Sequence, residues 1–386
     1  MLLGRTTELG YLNNYYDRDG SQILIVYGQK HIGKTALVKE FMKDRPGYYY
    51  LASACSEREQ AYLWGRQLTH DGYVVDKFPT FQEIFEKLAH RVTGKKVLVI
   101  DEFQNIVRAS DAFMKDLVAF VHSQWNRDDV MVILVSSSIG WIENSMITRI
   151  GEAAYELSGL LKIKEMPFAD LVERFPNFRI EECVEAYAIL GGIPGLWNQF
   201  DDRLTIQQNI CRNILDCNSF LFEEGERILT EQLREPGVYN TIMASIAAGD
   251  HKLNDLHLHT EFSRAKISVY LKNLIELELV EKVFSYDTAG KENVQKGIYR
   301  ISHPFVDFYY TYMYPHLSDL QMLSVGEFYN RYIMRHFRRY VSGYFKQVCR
   351  QHLARLGERH RLPIQCGAIG EWIGKVGALD IIAQDE

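Results

Sequence analysis

The sequence predicts an α/β fold in which a mostly parallel sheet is covered by helices on both faces. The first observation is a glycine-rich segment, residues 28–35, that lies between a short apolar run and a helix-forming run. The second is the alternation of short apolar segments with helical segments along residues 1–164. Such alternation favours parallel strands joined by crossover helices. Ligands of such a sheet bind at the carboxyl ends of its strands.

The glycine-rich segment fits the pattern G-x-x-x-x-G-K-[ST], the phosphate-binding loop of P-loop NTPases. The run before it, residues 22–27, is short enough for a buried strand, and residues 36–42 favour a helix. Loop N–H groups at a helix N-terminus attract phosphate oxygens, so we predict an ATP site here. The predicted nucleotide contacts are Gly28, Gln29, Lys30, His31, Ile32, Gly33, Lys34, Thr35 and Ala36.

Two side chains of this loop have specific predicted roles. Lys34 is expected to reach the β- and γ-phosphates, and the hydroxyl of Thr35 is expected to ligate Mg²⁺. The alternative is a chance match in a glycine-containing turn. The flanking strand and helix argue against that alternative.

A second apolar run, residues 96–100, ends in Asp101 and Glu102. In P-loop ATPases the first acid at such a strand end holds Mg²⁺, and a neighbouring group orients the attacking water. We therefore predict that Asp101 joins Thr35 as a metal ligand and that Glu102 is catalytic. The alternative is a solvated acidic loop after a buried strand. A further predicted strand, residues 129–136, runs into Ser137 and Ser138, where a polar side chain could sense the γ-phosphate.

Bulk properties restrict the class of protein. A length of 386 residues suggests two or three domains, and 47% hydrophobic with 24% charged residues is typical of a globular chain. The apolar runs are far shorter than the ~20 residues that span a bilayer, and no signal peptide is recognised. Six scattered cysteines without a C-x-x-C pair indicate free thiols in a reducing cytoplasm. The net charge of −6 argues against general polyanion binding.

The chain resembles the archaeal-type ATPase family, in the STAND branch of the AAA+ P-loop ATPases. The resemblance rests on residues 28–35, 97–104, 133–138 and 191–195, and it covers residues 1–315 at good density. It implies a P-loop three-layer αβα ATPase core with a helical lid, followed by a winged helix and a partial α/β nuclease-like domain. The implied boundaries are 1–164 for the core, 165–235 for the lid, 236–302 for the winged helix and 303–386 for the remainder.

The resemblance also implies roles for residues outside the two motifs. Pro194, in a G-x-P element, would pack against the nucleotide, although the sequence alone supports only a turn there. Arg149 precedes the last core strand and would touch the γ-phosphate of a neighbouring site, or else form a surface salt bridge. Residues 4–9 resemble an element beside the nucleotide base, with Thr6 or Thr7 as the cap of an amphipathic helix.

Three predicted helices and a hairpin define the winged helix. The helices cover residues 238–248 and 253–260 and a segment capped by Ser263, and a polar loop with Gly290 joins the two strands. The third helix enters the major groove in DNA-binding members of this class. Its exposed positions are mixed in charge, so DNA binding and an internal switching role both stay open: Arg264, Lys266, Lys272, Glu276 and Glu278.

The C-terminal region resembles PD-(D/E)xK nucleases without their full set of acids. Lys346 stands where the family pattern has an acid, and Ala378 stands where an acid usually precedes Asp380. The sequence ends at Glu386 before any E-x-K motif. We expect either a truncated domain or a non-catalytic remnant, and no nuclease activity.

Residues 331–361 contain nine Lys or Arg and one acid, a net charge of +8, which leaves −14 for the rest of the chain. Arg331, Arg335 and Arg339 are predicted to share one helical face, opposite an apolar face that contains Phe337. This segment could bind a phosphate backbone. The alternative, slightly favoured by the charge balance, is a solvated face or one docked on the acidic ATPase core.

The sequence therefore predicts a cytoplasmic ATP-binding protein that hydrolyses ATP with Mg²⁺ and uses nucleotide state to switch its domain arrangement. Two alternatives stay open. One is a nucleotide-gated DNA-binding regulator or genome-defence component. The other is an interaction scaffold that binds nucleotide without turnover. The expected partners are ATP or ADP, with DNA or a protein as further candidates and no membrane.

Overall fold

A computed structural model describes residues 3–89, 94–123, 129–230, 233–287, 297–364, 366–374 and 377–385. The chain divides into two compact units, Met1–Lys164 and Glu165–Glu386. No helix within the described residues combines the length and apolar character needed to cross a membrane.

The first unit is built on a five-stranded parallel sheet with the strand order β2-β3-β4-β1-β5. Both β3 and β4 are buried along their whole length, which explains their nearly continuous apolar sequences. The parallel pairings place the carboxyl ends of β1, β3 and β4 at one edge. The strands are β1 (Gln22–Tyr27), β2 (Gly47–Leu51), β3 (Lys96–Asp101), β4 (Val130–Ser136) and β5 (Gly159–Lys162).

Helices cover both faces of this sheet. Two of them, α1 (Thr6–Tyr16) and α2 (Lys34–Met42), pack together on one face. The others surround a continuous apolar core on the opposite face, and a 3₁₀ turn at Gly151–Glu156 leads to β5. They are α3 (Glu57–His70), α4 (Phe81–Ala89), α5 (Gln104–Ala109), α6 (Phe113–Ser123), α7 (Ile139–Asn144) and α8 (Met146–Ile150). The predicted α/β class with a parallel sheet is confirmed.

The first helix begins one residue earlier than the sequence predicts. Thr6 or Thr7 was the expected cap, but Arg5 occupies the N-cap position and its side chain makes no capping hydrogen bond. The reason is that the Arg5 guanidinium turns inward and bonds to Ile32 and Lys164. The fifth strand is only four residues long and partly exposed, so no apolar run locates it in the sequence.

The second unit consists mainly of helices. It also contains two antiparallel ladders, β6 (Val280–Val283) with β7 (Ile298–Ile301) and β8 (Cys366–Ile373) with β9 (Ala378–Asp385). Its α-helices are α9 (Phe168–Arg174), α10 (Ile180–Leu190), α11 (Pro194–Trp197), α12 (Ile206–Asn213), α13 (Phe220–Thr230), α14 (Pro236–Ala247), α15 (Leu253–Thr260), α16 (Arg264–Glu276), α17 (Pro304–Phe308), α18 (Leu317–Met322), α19 (Val325–Phe328) and α20 (Met334–Glu358). Short π-helical turns at Tyr309–Met313 and Tyr329–Ile333 and a 3₁₀ turn at Tyr314–His316 complete it.

Helices α14, α15 and α16 followed by β6 and β7 have the element order that a winged helix requires. Ser263 caps α16 by accepting a hydrogen bond from the N–H of Lys266, as its position in the sequence indicates. The predicted loop with Gly290 lies outside the described residues. The winged-helix assignment therefore stays a prediction, as do the lid and the nuclease-like domain.

Of the three arginines predicted to share a helical face, one lies before the helix that contains the other two. Arg331 lies in the π-helical turn before α20, where the wider turn breaks the four-residue repeat, and it pairs with Asp319 at 3.3 Å. Arg335 and Arg339 are exposed on α20, while Phe337 is buried. All three arginines are exposed, and their common face stays a prediction.

Candidate nucleotide-binding site

The glycine-rich loop connects the end of β1 to the start of α2. A Cβ on Gly28 would lie 2.5 Å from the carbonyl oxygen of Ile163, so only glycine fits there. Gly33 forms the N-cap of α2 at φ 99°, in the left-handed region that favours glycine. His31 also has a positive φ, 63°. These angles produce a tight loop whose last turn leads directly into a helix N-terminus, as a phosphate cradle requires.

A buried arginine holds this loop from outside the motif. The guanidinium of Arg5 donates to the carbonyl oxygens of Ile32 and Lys164, both at 2.9 Å. It also pairs with Glu8 at 2.8 Å, so its charge is compensated although the residue is only 4% exposed. The sequence singled out residues 4–9 without indicating this contact. Arg5 is therefore a positioning residue for the loop.

Lys34 is the first residue of α2, and its ammonium group lies against the loop backbone. Its Nζ donates to the carbonyl oxygens of Gly28 at 3.0 Å and Gln29 at 2.8 Å. Burial lowers the pKa of Lys34 to about 8, and the nearby carboxylates of Glu102 and Asp101 oppose that shift. The ammonium is thus a buried cation whose direct partners are neutral carbonyls. A phosphate would be a stronger partner.

Thr35 and Asp101 meet at the end of β3. The Thr35 hydroxyl donates to Oδ2 of Asp101 at 2.8 Å, and the Tyr49 hydroxyl donates to the same oxygen at 2.7 Å. The N–H of Glu102 donates to Oδ1 at 3.0 Å, and Asp101 is only 2% exposed. Hydroxyl and carboxylate oxygens are the ligands that Mg²⁺ prefers, so this pair fits the predicted metal.

Tyr49 has no counterpart in the sequence prediction. Burial and then its hydrogen bond to Asp101 raise the pKa of its phenol, so it stays a donor to the carboxylate at neutral pH. The contact between Tyr49 and Asp101 follows from the strand register, in which Tyr49 pairs with Val99, two residues before Asp101. That register is a tertiary property and is not visible in the chain alone.

Glu102 follows Asp101 with an unusual backbone. Its φ of 54° is in the left-handed region, which costs a residue other than glycine ~1–3 kcal/mol. Oε2 accepts a hydrogen bond from the Ser137 hydroxyl at 2.7 Å and another from Nε2 of Gln104. The amide oxygen of Gln104, Oε1, is buried without a hydrogen-bond partner among the described residues. This arrangement fixes the Glu102 carboxylate between the ends of β3 and β4.

Two further predicted site residues are Arg149 and Pro194. Arg149 donates through Nη2 to the carbonyl oxygen of Val107 at 3.0 Å and pairs with Asp111 at 2.7 Å, so it binds the end of α5. A role in the site of a neighbouring molecule stays a prediction. Pro194 is the first residue of α11 in the second unit, and its contact with nucleotide also stays a prediction.

The geometry therefore brings together five of the predicted side chains, from α2, β3 and the end of β4. They supply a buried cation at a phosphate-sized loop, a hydroxyl and carboxylate pair suited to Mg²⁺, and a fixed glutamate. This combination defines the site of a P-loop ATPase. The members of the group are Lys34, Thr35, Asp101, Glu102 and Ser137.

Comparison with known proteins agrees with that class. The profile of a family described as ATPase domains predominantly from Archaea matches residues 2–200. The chain belongs to this family, as the sequence predicted. A second profile, described as archaeal and bacterial proteins of unknown function, matches residues 309–386.

Similar proteins include an uncharacterized protein of Methanocaldococcus jannaschii, 28% identical over 100% of this chain and 85% of the relative. A Walker-type ATPase of Pyrococcus abyssi has a TM-score of 0.54 at 16% identity, over 80% of this chain and 96% of that chain. The ORC2 protein of Aeropyrum pernix, in ADPNP–ADP complexes, has a TM-score of 0.56 at 14% identity, over 83% of this chain and 95% of that chain. At such identities the likeness shows the fold alone, one that this chain shares with a Walker-type ATPase.

Proposed function

We propose that this chain binds Mg·ATP at the P-loop of its first unit and hydrolyses it. The observation that carries the proposal is the convergence of Lys34, the Thr35–Asp101 pair and the Glu102–Ser137 pair at the carboxyl ends of the strands. Each pair joins residues from different elements, so a chance sequence match does not explain them. Membership of an archaeal ATPase family supports the same activity.

The chemistry assigns one task to each group. Lys34 and the loop N–H groups hold the phosphates, and Thr35 and Asp101 would hold Mg²⁺, which neutralises phosphate charge when bound. Glu102 orients a water molecule and accepts its proton. The water oxygen bonds to the terminal phosphorus while the bond from that phosphorus to the ADP oxygen breaks. The products are ADP, inorganic phosphate and a proton.

We further propose that nucleotide state changes the arrangement of the domains. The resemblance to the STAND branch supports this role, since order and domain position in such switches depend on contacts with the γ-phosphate. Small-angle scattering of the full chain with ADP and with a non-hydrolysable ATP analogue would test it. Identical scattering curves in the two states would contradict the switch.

The activity itself is tested by two measurements on the purified chain. Calorimetry should show binding of ATP that is stronger with Mg²⁺ than without it, and a phosphate-release assay should show turnover. Binding without turnover would instead support the interaction scaffold. Absence of binding would overturn the whole assignment.

A DNA-contacting role is a second candidate, supported by the basic segment. Three of its nine cations pair with carboxylates: Arg331, Lys346 and Arg350. Within the part of the chain that the structure describes, the remaining six are exposed arginines without an ion pair: Arg335, Arg338, Arg339, Arg355, Arg359 and Arg361.

The exposed cations of α16 are less available than this segment. Arg264 bonds to Asn254, and Lys272 pairs with Glu276 at 3.8 Å.

If the basic segment contacts DNA phosphates, duplex DNA binding should weaken steeply with salt, with a slope of about −0.9 per phosphate contacted. Replacing Arg335, Arg338 and Arg339 with glutamate should remove most of that slope. A slope that is unchanged in this variant, or absent in the wild type, would contradict the role.

A further inference from the structure

One face of α5 points at the end of β4, where the terminal phosphate of a bound nucleotide is expected. Gln104 and Arg108 lie four residues apart on this helix and therefore share a face. Gln104 bonds to the Glu102 carboxylate, and Nη2 of Arg108 donates to the Ser138 hydroxyl at 3.2 Å. The face thus contacts both the predicted catalytic acid and the residue that follows Ser137.

Packing holds the Arg108 guanidinium in this position. Its central carbon lies 5.7 Å from the ring centre of Trp141, within cation–π range. The same indole packs edge-on against the buried Phe103 ring at 5.5 Å, which fixes it. The Arg108 side chain therefore packs against Trp141, and its guanidinium lies beside Ser138.

The charges around Arg108 leave it available to an anion. No carboxylate lies in ion-pair contact with it among the described residues. Burial lowers the pKa of the Arg108 guanidinium, and the nearby carboxylate of Glu102 opposes that shift. Glu102 acts in the same direction on Lys34. The Glu102 carboxylate thus has a cation on the loop side and a second one on the α5 side. A guanidinium has five N–H donors, and Arg108 uses one of them here.

Arg149 is the arginine that the sequence suggested for phosphate contact, and its surroundings differ. Its Nε and Nη2 both donate to the Val107 carbonyl oxygen, and Nη2 pairs with Asp111 at 2.7 Å. These two nitrogens are therefore committed to the end of α5 and to Asp111. Of the two arginines, Arg108 lies beside Glu102 and has no carboxylate in ion-pair contact among the described residues.

We propose that Arg108 contacts the terminal phosphate of a nucleoside triphosphate bound to the same chain, and so distinguishes the triphosphate from the diphosphate. The guanidinium fork matches the oxygens of a phosphoryl group. Its charge stabilises the negative charge on those oxygens as the bond to ADP breaks. Arg108 is then a catalytic residue supplied in cis. This inference rests on the proposed ATP site.

The test compares two ligands across four proteins: wild type, Arg108→Ala, Arg108→Lys and a matched control, Arg66→Ala. Arg66 is an exposed arginine on α3 of the same unit. Calorimetry gives Kd for ADP and for AMP-PNP, each with Mg²⁺. For Arg108→Ala we expect a roughly ten-fold or greater loss of AMP-PNP affinity, because a charge-assisted hydrogen bond is lost. ADP affinity should stay within about two-fold, since ADP lacks the terminal phosphate.

Turnover gives an independent readout. Arg108→Ala should lower kcat by at least about 100-fold, because arginine contacts with the transferred group have effects of this order or larger. Arg108→Lys should recover part of the AMP-PNP affinity, and Arg66→Ala should match wild type in every measurement. Retained ADP binding shows that each variant is folded. Equal losses for ADP and AMP-PNP, or no loss for either, would overturn the inference while leaving the ATP site intact. A wild type that binds neither ligand would overturn the proposed function and this inference together.

Discussion

Charged side chains gather at two places in this molecule, one in each unit, and they are arranged in opposite ways. In the nucleotide site, Lys34 bonds to backbone carbonyls, while Asp101 accepts from neutral hydroxyls. At the C-terminal hairpin of β8 and β9, Asp380 pairs with Lys346 of α20 at 2.6 Å and Glu371 pairs with Arg300 of β7 at 2.6 Å. Charges that bond to neutral groups stay available to a ligand. Charges in ion pairs neutralise each other and connect the elements on which they lie.

Two residues of the predicted nuclease-like resemblance bond to each other. Lys346, where the resemblance leads us to expect an acid, is the direct partner of Asp380. Glu371 accepts from Arg300 and also contacts Arg350 at 3.4 Å. The two sites therefore share residue types and differ in the groups to which those residues bond.

The largest expected effect is the loss of ATP binding in Lys34→Ala. The substitution removes the buried ammonium that bonds to the loop carbonyls of Gly28 and Gln29. Truncating one partner of a buried charge contact costs roughly 2–5 kcal/mol, about 30- to 5,000-fold in affinity. Calorimetry with Mg·ATP measures it, with Lys43→Ala as a control for an exposed lysine at the end of the same helix. Unchanged affinity in Lys34→Ala would remove the P-loop assignment.

Glu102→Gln should keep ATP bound and slow its hydrolysis by roughly 100-fold, the lower range for a general base. Asp101→Asn should instead weaken the Mg²⁺ dependence of ATP binding. Asp101 bonds to Thr35, the other proposed Mg²⁺ ligand, whereas Glu102 is proposed to orient the attacking water. Phosphate release at saturating ATP, and ATP titrations with and without Mg²⁺, separate these effects. If the two variants behave alike in both assays, the proposed division of roles is wrong.

These predictions rest on residues that the sequence identifies through local patterns. The P-loop and the strand that ends in Asp101 are continuous segments, so spacing and apolar character were enough to predict them. Tyr49, Gln104 and Arg108 were not predicted, because their roles depend on strand register and on the face that α5 turns to β4. Arg149 carries two compatible interpretations in the sequence, and the structure adds its ion pair with Asp111.

A smaller effect is the pH dependence of ATP affinity. Burial lowers the pKa of Lys34 to about 8, and a bound phosphate favours its protonated form. Above pH 8, binding must take up a proton, so affinity should fall by up to about ten-fold per pH unit. Titrations between pH 7.5 and 9.5 measure this, with Lys34→Arg as the control because a guanidinium stays charged. Equal slopes in the two proteins would contradict the assignment.

Without nucleotide, the lowered pKa of Lys34 makes the free energy of unfolding rise with pH, which is opposite to its effect on ATP affinity. The unfolded chain keeps the ordinary lysine pKa of 10.5, so between about 8 and 10.5 it binds more protons than the folded chain. The free energy of unfolding contributed by Lys34 therefore rises with pH in this window. Affinity for ATP falls over the same range, so the two measurements together identify Lys34 as the titrating group.

The smallest effect is expected at the hairpin, in Asp380→Ala. The Lys346–Asp380 pair is exposed, with 39% and 56% of the two side chains accessible, so it should contribute about 0–1 kcal/mol to the free energy of unfolding. Chemical denaturation of the full chain measures this change. Glu371→Ala gives the contrast, because Glu371 is only 8% exposed and its loss leaves two arginines without their partner. A larger loss of stability in Asp380→Ala than in Glu371→Ala would contradict this ranking.

A DNA-cleavage assay also tests the contrast between the nucleotide site and the C-terminal hairpin. We expect no metal-dependent cleavage of DNA by this chain, since phosphodiester hydrolysis needs several carboxylates to fix the ion and a base near the nucleophile. Lys346 lies 2.6 Å from the Asp380 carboxylate and competes with any cation for it. Supercoiled and linear DNA, incubated with Mg²⁺ or Mn²⁺ and with or without ATP, should stay intact even where the basic segment holds DNA. Cleavage that disappears in Asp380→Ala would mean that other carboxylates complete a metal site around Asp380, and the contrast between the two charged sites would then fail.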